Sequence, residues 1–141
     1  MTDEEVMVRM AKYLMICAKG KSVGMADLLK LQQLEVPTNP EVKCVLACAY
    51  KHFGTLKDDG KFDIETSYKF AEECKEGDEK RLENGKKLAD ICIKVNDEKV
   101  SDGDKGCERA TLMYKCMINN APKLGFKVQL EPEKLGEVLK I

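Results

Sequence analysis

The chain has 141 residues, 43% of them apolar, with 25 acidic against 24 basic side chains and a net charge of −1. That length can bury one core, the balanced charge offers no field for nucleic acid, and no run approaches the ~18 apolar residues of a membrane span. Glycine and proline are sparse, so no linker divides residues 1–141 and one domain is expected, with 121–141 as its C-terminal tail.

Thr2 and Glu5 form a capping box, and Val6, Met10, Tyr13, Leu14 and Cys17 then follow a helical stripe that Gly20 stops. A shorter helix around Met25 to Gln32 ends before Val36-Pro37. Asn39 caps a helix with Pro40 at its first position, ended at Phe53 by Gly54. Lys57 to Gly60 is a turn, after which Asp63 caps a helix that turns Ile64, Ser67, Tyr68, Phe70, Ala71 and Cys74 inward. Gly77 separates it from a helix starting near Asp78 with a stripe of Leu82, Leu88, Ala89, Cys92 and Val95. Asn96 to Gly106 is a polar turn, and Asp104 or Gly106 leads into a helix carrying Ala110, Met113, Tyr114 and Met117. Past Ala121-Pro122 come Phe126, Val128 and Leu130, then a last short helix opened by Glu131-Pro132, with Leu135, Val138 and Leu139 on one side. No segment sustains the period-two alternation of a strand, so the fold is all-α with about six helices.

Seven cysteines punctuate these helices. Cys44 and Cys48 are four apart, about 40° around one helix, a poor geometry for bridging each other. If both are bridged, each reaches a different neighbour, and their helix becomes a bolt between two others. Cys17, Cys44, Cys48, Cys92, Cys107 and Cys116 are separated by 26, 3, 43, 14 and 8 residues, with Cys74 outside the series. In this order and spacing the chain resembles the insect odorant-binding protein family, from Thr2 to about Val128, although the gap of 43 is at that family's long end. The resemblance implies the pairing Cys17–Cys48, Cys44–Cys107 and Cys92–Cys116, one of 15 possible for six cysteines. Cys107 and Cys116, about 180° apart on their helix, are compatible with it. Cys74 is expected on the fourth helix as a buried free thiol, a disulfide-linked dimer being the alternative.

Three staples of roughly 3–4 kcal/mol each would let a helical protein keep an apolar hollow that tight packing otherwise closes. Adaptable thioethers (Met7, Met10, Met15, Met25, Met113 and Met117) suit such a hollow. The resemblance implies that the first, fourth, fifth and sixth helices wall it and the central helix closes one end. The expected wall is therefore Met10, Leu14, Phe53, Phe62, Tyr68, Leu88, Ile91, Met113, Tyr114 and Met117, with the Tyr68 or Tyr114 hydroxyl orienting a polar head. About twelve methylenes at ~0.8 kcal/mol each give ~10 kcal/mol gross, which association costs reduce to the affinity of a reversible carrier. The expected function is a secreted carrier of a small hydrophobic alcohol, aldehyde, ester or fatty acid, such as an odorant or pheromone, with any signal peptide outside this numbering. A membrane chemoreceptor is the further partner this admits, and the carrier is a monomer or a weak or disulfide-linked homodimer. The tail is expected to cover the pocket, entering it only when Glu131, Glu133 and Glu137 are protonated, so binding should weaken near pH 4.5–5. His52, the one histidine, is expected to cap or line the end of the central helix.

Catalytic parts are missing from the pattern: one histidine has no nucleophile beside it, and no phosphate loop occurs. The cysteine spacing is not that of zinc, and Asp58-Asp-Gly60 and Asp102-Gly-Asp104 fail the ligand positions of a calcium loop. No enzyme, cofactor or metal is expected. The contrasting readings are a helical interaction module with reduced thiols, and the same scaffold binding lipids or biogenic amines in another secretion.

Overall fold

Capping chemistry sets where the helices begin. In the computed structural model, which describes residues 1–140, α1 runs Asp3–Ala18, α2 Met25–Gln32, α3 Pro40–Phe53, α4 Ile64–Glu73, α5 Glu79–Cys92, α6 Cys107–Asn120 and α7 Pro132–Leu139. Thr2 Oγ1 accepts from the Glu5 N–H at 3.1 Å while Glu5 accepts from the Thr2 N–H, the reciprocal box expected. Asn39, Asp63 and Asp78 cap α3, α4 and α5 through their side-chain oxygens. The cap of α6 departs from expectation. Neither Asp104 nor Gly106 supplies the side chain; Asp102 Oδ2 reaches forward to the Cys107 and Glu108 N–H groups at 2.8 and 3.1 Å, across a turn that Gly106 makes at φ +76°. Among the described residues, the β-type pairing is one antiparallel bridge, Leu56 with Phe62.

The central position of α3 follows from its sequence, apolar on nearly every side: Val42, Val45, Leu46, Ala47, Ala49 and Tyr50 are all buried. It packs mainly against α6 and α1, while α4 and α5 pack against each other and α7 packs on α1. Three disulfides tie this arrangement: Cys17–Cys48 joins α1 to α3, Cys44–Cys107 joins α3 to α6, and Cys92–Cys116 joins α5 to α6. The bolt is thus real, with α1 and α6 as its two attachments. The main core surrounds α3, and a smaller apolar cluster of Leu88, Cys92 and Ala121 lies where α5, α6 and the tail meet. Between them the helices stand apart.

Candidate ligand cavity

That gap is a cavity of about 240 Å³ with a predominantly apolar wall. Helix α1 contributes Val6, Met7 and Met10, α3 Tyr50 and Phe53, and α4 Ser67, Phe70 and Ala71. From α5 come Gly85, Leu88, Ala89 and Cys92, and from α6 Met113, Tyr114, Met117 and Ile118. Phe62 is aimed into it by a clamp on its main chain: Asn96 accepts the Phe62 N–H at 2.8 Å and donates to its carbonyl at 3.0 Å. Phe126 and Val128 of the tail cover the remaining side, so the segment after Ala121 does lie over the pocket.

Seven of the ten expected wall residues come together here: Met10, Phe53, Phe62, Leu88, Met113, Tyr114 and Met117. Three do not line it. Ile91 is 38% exposed, and Tyr68 donates instead to the Asp90 carboxylate on the outer side of the α4–α5 pair. Both miss by one helical step. The inward face of α5 is centred on Gly85, Leu88 and Cys92, and that of α4 on Ser67, Ala71 and Cys74, leaving Ile91 and Tyr68 about 100° away. Leu14 shares the face of Met10 but sits one turn further along α1, where it is buried in the main core. Among the methionines, Met7 joins the wall, whereas Met15 packs on the core and Met25 is 36% exposed.

The sequence reading did not anticipate Val6, Tyr50, Gly85 or the mouth of the cavity. Tyr50 is three residues before Phe53, but α3 is buried on nearly every side, and only the packing shows that the hollow reaches Tyr50. At the mouth, Asp3 pairs with Arg81 and accepts the Lys127 N–H at 2.9 Å. Arg81 Nε donates to the Cys74 carbonyl at 2.6 Å, and its guanidinium lies 4.9 Å from the centre of the Phe126 ring. This latch joins the start of α1, the end of α4, α5 and the tail, residues too distant in sequence to be read as partners. Outside it, Thr2, Glu4, Glu76, Gln129 and Glu131 line an open vestibule of about 400 Å³ that shares Asp3, Met7, Arg81 and Lys127 with the cavity.

Polar groups on the wall are few. Tyr114 donates its hydroxyl proton to the Leu31 carbonyl, and burial, with Glu35 adding to it, pushes its pKa up to about 12. Burial likewise raises the Tyr50 hydroxyl, with Tyr114 adding to the effect. Cys74 lies at the C-terminal end of α4, 7% exposed and unpaired, with burial raising its thiol. Buried there on the cavity wall, it presents little surface to a second chain. His52 is exposed in the last turn of α3 and stacks on Tyr13 with ring centroids 5.1 Å apart, away from the cavity. It lies within 4.8 Å of the Cys17 and Cys48 sulfurs, but sulfurs bonded to each other are not thiolates and hold no metal. The α7 carboxylates stay at the surface: Glu131, Glu133 and Glu137 are exposed, with Lys134 between Glu4 and Glu137.

Comparison with known proteins agrees with this picture. The family model described as the PBP/GOBP family matches residues 1–120. Among solved structures, an odorant-binding protein from Drosophila melanogaster superposes with a TM-score of 0.66 at 23% identity, over 89% of this chain and 99% of that one. At that identity the likeness is one of fold. No curated protein sequence matches.

Proposed function

The chain belongs to the PBP/GOBP family, and on that premise we propose that it carries small apolar molecules through an extracellular fluid. The observation that supports this most is the apolar cavity itself. A hollow of 240 Å³ with an open mouth costs at most on the order of 6 kcal/mol at ~24 cal/mol per Å³. Disulfides closing loops over separations of 31, 63 and 24 residues, at roughly 3–4 kcal/mol each, are enough to offset it. A ligand that fills the space recovers the lost contacts, so occupancy and stability rise together.

Size and charge narrow the cargo. The cavity is somewhat below the ~300–1,000 Å³ of drug-sized pockets, which suits a volatile odorant or pheromone better than a large lipid. Asp3, the carboxylate on the wall, is already held by Arg81 and the Lys127 N–H, so an amine finds no free counter-charge. Arg81 is committed in turn and Lys127, the other cationic residue on the wall, is exposed, so an ionised fatty acid finds no buried free counter-charge and a neutral alcohol, aldehyde or ester is favoured. Three disulfides fit an oxidising, extracellular compartment, where a membrane chemoreceptor would be the recipient of the cargo. Displacement of a fluorescent apolar probe by a panel of volatile alcohols, aldehydes and esters tests the reading. Micromolar or tighter competition is expected; a panel in which nothing displaces the probe overturns it.

A further inference from the structure

Four hydroxyl groups belong to residues on the cavity wall: those of Tyr50, Thr55, Ser67 and Tyr114. Three have given their proton to the main chain. Thr55 donates to the Tyr50 carbonyl at 3.4 Å, Ser67 to the Asp63 carbonyl at 3.0 Å, and Tyr114 to the Leu31 carbonyl. Tyr50 is different. It is 9% exposed, yet its hydroxyl makes no hydrogen bond among the described residues. Nor is it sealed in: among the described residues, the side-chain atoms that are both sealed and unpartnered are Asp102 Oδ1 and Arg109 Nε, and neither residue lines the cavity. A tyrosine rarely gives up water for an apolar surrounding without a partner for its hydroxyl, so the missing partner is the notable fact.

We propose that the Tyr50 hydroxyl is the wall's hydrogen-bond donor to the cargo, and that it selects neutral apolar molecules headed by an oxygen acceptor (aldehydes, ketones, esters and alcohols) over plain hydrocarbons. This rests on the carrier reading and deepens it. A carbonyl oxygen needs only a donor, which Tyr50 supplies. An alcohol accepts from Tyr50 in the same way and can place its own proton on the lone pairs of the wall hydroxyls, whose oxygens still accept. An alkane leaves Tyr50 unpaired. Of the two cationic residues on the wall, Arg81 is committed to Asp3 and Lys127 is exposed, so a carboxylate finds no buried free counter-charge. The donor is also well held, because disulfides anchor α3 to α6 at Cys44 and to α1 at Cys48, two residues before Tyr50. Little freedom is lost when the bond to cargo forms.

Tyr50→Phe removes the oxygen and keeps the ring. Dissociation constants are to be measured for wild type and variant with a medium-chain methyl ketone, the matching secondary alcohol and the matching alkane, together with the unliganded melting temperature. The expected result is about fivefold weaker binding of the ketone and of the alcohol, with unchanged alkane binding. The variant's melting temperature should equal or exceed that of wild type, since the deleted group has no protein partner; a structural role would lower it. Unchanged ketone affinity overturns the inference, as does an equal loss for ketone and alkane, which would make Tyr50 only a piece of wall. Wild-type protein that binds none of the three overturns the carrier reading and this inference with it, a result distinct from the other failures.

Discussion

Asp63 does several things at the start of α4. Its carboxylate accepts from the N–H groups of Glu65 and Thr66 and from the Thr66 hydroxyl, while its carbonyl accepts from Ser67, a wall residue. The Thr66 hydroxyl is the largest influence holding its pKa below the usual value of 3.8. A depressed carboxylate contributes stability that is present above about pH 4 and is lost as pH falls through the lower folded value. Asp63→Ala should therefore lower unfolding stability by about 1 kcal/mol at pH 7, with the difference from wild type vanishing in acid; urea titrations at both pH values check it. Cys74 is decided at the same scale. Its thiol should label slowly in the native protein and at once in denaturant, because burial both hides it and keeps it protonated.

At the scale of elements, the α4–α5 pair depends on Gly85. A Cβ there would stand 2.9 Å from the Ala71 Cβ and 3.9 Å from the Phe126 ring. Alanine is the better helix former by about 1 kcal/mol, but overpacking costs about 1–3, so Gly85→Ala should lower the melting temperature and shrink the cavity, weakening the largest cargo first. The latch is the other inter-element device. Arg81→Ala leaves Asp3 without its partner and Phe126 without its cation; the expected effect is roughly 2 kcal/mol of lost stability and faster ligand release, readable by stopped flow. Helix α7 packs on α1 outside the cavity, and the tail residues on the wall end at Val128. Truncation after Leu130 should thus retain binding at neutral pH. If the α7 carboxylates carry a pH response, the truncated protein loses the weakening expected near pH 5, and an unaltered pH profile rejects that role.

For the whole molecule, the crosslinks govern both stability and access. Mature oxidised protein should show one thiol under denaturation; seven would instead mean the reduced interaction module. Partial reduction should open Cys44–Cys107 first, since Cys44 is exposed, and Cys92–Cys116 late, since Cys92 has no accessible surface. Mass mapping of alkylated peptides after graded reductant reads the order. Loss of all three bridges should collapse ligand binding before helicity, because local caps and packing around α3 survive while the separation of α5 and α6 from α1 does not.

Much of this protein was legible along the chain. Helix starts depend on a side chain reaching two or three residues ahead, so Thr2, Asn39, Asp63 and Asp78 announced them without tertiary information. Cysteine spacing, through its resemblance to a known frame, carried the pairing as well. Where reach was longer, the sequence was silent: Asp102 capping α6 from five residues away, Asn96 clamping Phe62 across 34, and Asp3 meeting Arg81 across 78. Wall membership fell between these cases. Periodicity gives a helix an inward side but fixes neither its rotation to within one residue nor how far along the axis the hollow extends. That is why Tyr68, Ile91 and Leu14 were expected on the wall and only the packed helices could put Tyr50 there instead.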